Sequence, residues 1–167
     1  AQVCDIVEDA QNKGISVTVT DYLTDSPAKR IADENAMISI TDVDAIVDYA
    51  IEHKVDGVIN YCIDPGQKPY QAVCERLNLP CYGTKEQFSI LTNKDLFKDY
   101  CIKNGVDVVE SYIVDDNFLT SEIKNIEYPV IIKPADGRAS KGITLCYTKS
   151  EVLEAVDYAL IFSDRKK

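Results

Sequence analysis

A lysine at the end of an apolar run, followed by two glycines, is the feature of this chain whose residue types suit chemistry on an anion. The run is Val130-Ile131-Ile132, short and β-branched as a buried strand should be, and it ends at Lys133-Pro134. Asp136, Gly137, Ser140, Lys141 and Gly142 follow, and a second apolar run, Ile143 to Tyr147, begins at once. So short a connection predicts a hairpin. Its backbone N–H groups, freed by glycine and set among lysines, suit a polyphosphate. The same residues also suit a plain hairpin, with Lys133 snorkelling from a strand end and Gly137 supplying only a turn.

Other candidates carry less. Tyr61 and Asp64 follow a predicted strand, where α/β folds form ligand crevices, so both are candidate substrate residues; Asp64-Pro65-Gly66 is equally an ordinary turn. Asp21 ends a predicted strand where a dinucleotide fold places a ribose acid, but no GxGxxG precedes it. The six cysteines show no CxxC spacing and His53 is the one histidine, which speaks against zinc. Most cysteines have apolar neighbours, so the expectation is buried free thiols in a reducing cytoplasmic setting. A net charge of −10 argues against nucleic acid, and no apolar run of membrane length occurs, so no membrane partner is expected.

The elements that must position these residues can be read in order. Val3, Ile6, Val7 and Ala10 give helical spacing closed by Gly14. Ile15–Thr20 alternates as a strand, and Ala36–Ile40 predicts another. Thr41 is the expected cap of a helix whose apolar face is Val43, Ile46, Val47, Ala50 and Ile51. Asp56–Asn60 predicts a strand, a helix follows from about Tyr70 to Leu77, and Leu79–Tyr82 predicts a further short strand. Such alternation implies a parallel α/β arrangement. After Gly83 two helices come in succession, about 85–91 and 94–103, and then strands at 108–114, 130–133 and 143–147. A last helix runs to about Ile161, with Thr148 as cap and Glu151 reaching back. This part reads as α+β.

This order of features resembles the ATP-grasp superfamily, most closely proteins similar to the carbamoyl-phosphate synthase large chain. The stretches that carry it are Val19-Thr20-Asp21-Tyr22 with Ala32-Asp33, Asp56-Gly57-Val58-Ile59, Leu91-Thr92-Asn93-Lys94-Asp95, and the stretch from Tyr128 to Leu145. The resemblance implies a Rossmann-like, parallel-sheet pre-ATP-grasp domain over 1–83, its first strand expected upstream. It implies a linker helix over 84–93 and an incomplete N-terminal ATP-grasp lobe over 94–167. The implied activity is an ADP-forming carboxylate–amine or carboxylate–ammonia ligase that uses ATP and Mg²⁺ and passes through an acyl phosphate. By the family motif, Lys94 and Lys133 hold ATP phosphates, and Asp136, Gly137, Ser140, Lys141 and Gly142 belong to the flap over them. The implied partners are a small-molecule carboxylate and an amine or ammonia, with a second copy or a glutaminase subunit as further options.

Two departures bear on this. Arg138 and Ala139 occupy the flap centre, where the family often has glycine. The adenine hinge and the Mg²⁺ ligands are expected beyond Lys167, so no carboxylate here is assigned to metal and the 167 residues alone are expected to be inactive. A non-catalytic nucleotide-binding or regulatory α/β module and an NAD-dependent oxidoreductase half stand as alternatives. Only the ligase needs Lys94, Lys133 and the flap together.

Overall fold

The computed structural model describes residues 3–112, 126–137 and 140–163. The chain divides into two compact units, residues 1–88 and 89–167.

In the first unit, α1 (Cys4–Asn12) leads to β1 (Thr18–Thr20), which pairs in parallel with β2 (Glu34–Ala36), Val19 opposite Asn35. Helices α2 (Val43–Glu52) and α3 (Gln67–Leu77) follow and bury Val47, Ala50, Tyr70, Val73 and Cys74. Asp44 on α2 and Arg76 on α3 form an ion pair. Tyr70 stacks on Tyr82 at 4.7 Å between ring centroids, and Phe88 meets both edge-on. The connection between the two parallel strands is tied from inside. Lys29 is 6% exposed, and its Nζ donates to the carbonyls of Asp21 (2.8 Å) and Leu23 (2.7 Å).

Several expected strands are shorter or absent, because their polar groups are bonded elsewhere. Val17 N–H goes to the Asp33 carboxylate (2.8 Å), so β1 begins only at Thr18. The second strand lies at Glu34–Ala36 rather than Ala36–Ile40, since Ser39 and Thr41 close a turn on themselves. Asp42, not Thr41, caps α2, accepting from Ala45 N–H at 3.1 Å. Asp56–Asn60 is not a strand: Asn60's carbonyl accepts from the Tyr82 hydroxyl (2.7 Å) and its amide donates to Ile63 O. Leu79–Tyr82 is not one either, with Leu79 N–H bonded to Cys74 O and Tyr82 N–H to the Tyr70 hydroxyl. The expectation of mostly buried thiols also needs correcting. Cys74 and Cys146 are buried, Cys4, Cys81 and Cys101 are half-buried, and Cys62 is exposed.

Helix α4 (Lys85–Leu91) spans the junction of the units. The second unit continues with α5 (Lys94–Lys103), β3 (Val130–Ile132), β4 (Thr144–Cys146) and α6 (Lys149–Ile161). Strands β3 and β4 pair antiparallel, with Ile131 opposite Leu145. Their inner residues Val130, Ile132 and Cys146 pack on Val152, Ala155 and Val156 of α6, and this is the core that fixes the hairpin. Thr148 caps α6, while the Glu151 carboxylate accepts from Tyr147 N–H (2.7 Å), one residue ahead of the expected reciprocal partner. Residues 108–112 form no strand, and 113–114 lie outside the described residues.

Candidate functional site

The site is built from the start of α5 and the β3–β4 connection, both in the second unit. Asn93 fixes where α5 begins. Its backbone is extended and its side chain accepts from the N–H groups of Asp95 (3.0 Å) and Leu96 (3.1 Å), which places Lys94 in the first turn. Lys94 Nζ then donates to the Gly137 carbonyl at 2.8 Å, with Ala135 O at 3.4 Å. The half-buried Lys94 therefore clasps the beginning of the loop.

Pro134 is the post around which the loop turns, and it is fully buried. At Gly137 an added Cβ would lie 2.6 Å from Pro134 Cγ. At Gly142 it would lie 2.9 Å from Pro134 Cγ and 3.0 Å from the Phe162 ring, and Gly142 has φ +71° besides. Both glycines are required here by close approach, which explains their spacing better than a turn does. Ser140, also with positive φ (59°), and Lys141 are exposed on the return. Asp136 is half-buried and its Oδ1 accepts from the Ser163 hydroxyl at 2.8 Å.

Lys133 differs from Lys94. It is exposed and bonds to none of the described residues. Alternation from the half-buried, inward-facing Ile132 sets it on the outward face of the hairpin, with Ile131 and the facing Leu145, which are 59% and 50% exposed. That face is apolar along the strands and cationic at its end.

The structure thus gathers Lys94, Asp136, Gly137 and Gly142 around Pro134, with Lys133, Ser140 and Lys141 exposed beside them. Tyr61 and Asp64 lie in the first unit, both exposed; Asp64 opens a 3-10 turn, Asp64–Gly66. Pro134, Phe162 and Ser163 were not legible as site residues. The one hint was the pair of glycines around a proline that follows a lysine. Among the described residues no group of three or more His, Cys, Asp or Glu side chains could hold a metal ion. No helix among them is long and apolar enough to cross a membrane.

Comparison with known proteins gives this geometry a context. Residues 93–165 match the family model described as "Carbamoyl-phosphate synthase L chain, ATP binding domain". A curated relative, D-alanine--D-alanine ligase B of Clostridium tetani, is 29% identical over 99 residues, covering 54% of this chain and 28% of the relative. The formate-dependent phosphoribosylglycinamide formyltransferase of Parasynechococcus marenigrum is 26% identical over 137 residues, 80% of this chain and 34% of its own. The chain thus spans about a third of the length of such relatives. Among solved structures, the biotin carboxylase domain of Hydrogenobacter thermophilus 2-oxoglutarate carboxylase, in complex with MgADP, superposes with a TM-score of 0.78 at 20% identity, over 96% of this chain and 38% of that one. The match begins at Asn93, the residue that caps α5, and runs through the lysine-bearing hairpin to α6: over this stretch the chain is similar to the ATP-binding domain of the carbamoyl-phosphate synthase large chain.

Proposed function

We propose that residues 94–167 form the N-terminal lobe of an ATP-grasp site and that residues 1–83 are a Rossmann-like pre-ATP-grasp domain. The observation that carries the reading is the pairing of an exposed Lys133, unpartnered among the described residues, with a glycine loop wrapped so closely on Pro134 that a side chain at Gly137 or Gly142 would not fit. The nucleotide fits this surface in two ways. Ile131 and Leu145 offer an apolar platform for a planar base, and the strand end offers a cation for phosphate oxygens. Lys133 is a mobile point charge, suited to neutralising phosphate charge as a carboxylate approaches. Lys94 shapes the loop from below, and Ser140, Lys141 and the glycine N–H groups complete the contact.

The reaction class is ADP-forming ligation of a small-molecule carboxylate to an amine or ammonia, with ATP supplying the phosphoryl group that activates the acid as an acyl phosphate. Carbamoyl-phosphate synthase-like chemistry is the particular member we favour, because the family match spans the whole second-unit site. Mg²⁺ accompanies ATP in this class, but the described residues offer it no ligand set, and no step is assigned to it. Tyr61 and Asp64 remain candidates for the acid substrate.

The test is equilibrium titration of the full-length protein with ATP, alongside a Lys133→Ala variant. Losing a charge-assisted contact should weaken binding by about 1.5–3 kcal/mol, leaving the fold intact. Parent-like ATP affinity in the variant would return the stretch to a plain hairpin.

A further inference from the structure

We propose that the carboxyl end of α6 positions the loop, and that Asp136 is the loop's tether to it rather than a contact to the nucleotide. The inference rests on the phosphate reading above, but its geometry is independent of Lys133. Ser163 is 3% exposed, so its hydroxyl must find a partner inside the protein, and it donates to Asp136 Oδ1 at 2.8 Å. One residue earlier, the Phe162 ring fills the space that a side chain at Gly142 would need, 3.0 Å from the ideal Cβ position. One end of one helix thus supports both the outgoing strand of the loop, at Asp136, and the returning strand, at Gly142. Lys94 holds the outgoing strand from the other side through Gly137 O at 2.8 Å.

Charge gives the tether a reason. A carboxylate in a loop that receives a polyanion opposes binding unless it is turned away. The Ser163 bond turns Asp136 toward α6 and commits one of its oxygens there. Neither Ser163 nor Phe162 belongs to any stretch that the sequence singles out. Both act through the loop, so they are positioning residues.

The experiment uses the full-length protein and three variants, Ser163→Ala, Ser163→Thr and Asp136→Asn. Two readouts are taken: trypsin cleavage after Lys141 with and without ATP, and ATP affinity by titration. Circular dichroism confirms that each variant is folded. Ser163→Ala should speed cleavage after Lys141 several-fold without ATP and weaken ATP binding roughly three- to tenfold. Ser163→Thr keeps the hydroxyl and should restore most of both. Asp136→Asn keeps an acceptor for Ser163 and removes the charge, so ATP should bind as tightly as in the parent or about twofold more tightly. Weaker ATP binding in Asp136→Asn would show that Asp136 contacts the nucleotide or its metal, and would overturn the proposal. Parent-like cleavage and affinity in Ser163→Ala would overturn it as well. If ATP fails to protect Lys141 in the parent protein, the phosphate reading is what fails, and the cleavage rates without ATP still decide the tether.

Discussion

The two lysines of the site should separate on mutation, and Lys94→Met against Lys133→Met is the sharpest comparison. Methionine keeps most of the aliphatic length and removes the donor and the charge. At Lys94 the lost bond to Gly137 O is 2.8 Å long and charge-assisted, worth about 1.5–3 kcal/mol. The Ala135 contact, at 3.4 Å, adds little. Lys94 is only half-buried, so water repays part of the loss, and about 1–2 kcal/mol of folding stability remains at stake. At Lys133, exposed and unbonded, the same change should stay within about 0.5 kcal/mol. Both variants should bind ATP more weakly. The assay is urea unfolding followed by far-UV circular dichroism, with ATP titration of each folded variant. If the two variants lose equal stability, or Lys94→Met loses none, the clasp between α5 and the loop is not part of the folded protein's energetics.

Four further outcomes are expected. Lys29→Met should destabilise the first unit by about 1.5–3 kcal/mol in urea, because it removes the buried ammonium's charge-assisted bonds to the carbonyls of Asp21 and Leu23; an unchanged midpoint would contradict this. Gly142→Ala should weaken ATP binding while Gly105→Ala does not: both have φ +71°, but only Gly142 has Pro134 and Phe162 against the added methyl. Burial pushes the Cys74 thiol from 9.0 up to about 11, with Cys81 beside it adding to the rise, so the folded state holds that proton longer than the unfolded chain. The resulting stability is present below about pH 9 and lost as pH rises through about 11, which unfolding curves in parent and Cys74→Ala would show as a steeper alkaline decline in the parent. In the same protein iodoacetamide should modify the exposed Cys62 before the buried Cys74 or Cys146.

The helices were legible in the sequence because their signals are local. Gly14 closes α1, Asn93 caps α5 and Thr148 caps α6, each through residues within one turn. The β3–β4 hairpin was legible because two β-branched runs flank one short polar connection. The strands of the first unit were less so. Apolar alternation marks where a strand can form, but the ladder depends on which N–H and C=O groups remain available. Here Asp33 takes Val17 N–H, Tyr82 takes Asn60 O, and α3 takes Leu79 N–H. Those partners lie up to 22 residues away, beyond any local window. For the same reason Ser163 and Phe162 stayed hidden: each reaches the loop only because α6 folds back across the hairpin.

That long-range dependence also changes what the two lysines are. By motif they are equivalent, a pair of cations around one polyphosphate. By position they are not. Lys94 sits one residue inside a capped helix, so its Nζ starts near the loop and finds the Gly137 carbonyl at hydrogen-bond distance. Lys133 follows the last residue of a strand whose alternation sends it outward, where it bonds to none of the described residues. A cation already committed to a carbonyl can meet a phosphate only by sharing or exchanging that bond, which reduces its net gain. A cation held by the sheet and left unbonded exchanges only water. The affinity loss on removing Lys133 should therefore exceed that on removing Lys94, and the stability loss should run the other way. Measured on the same two methionine variants, the opposite order of affinities would mean that Lys94 releases the loop when the nucleotide binds.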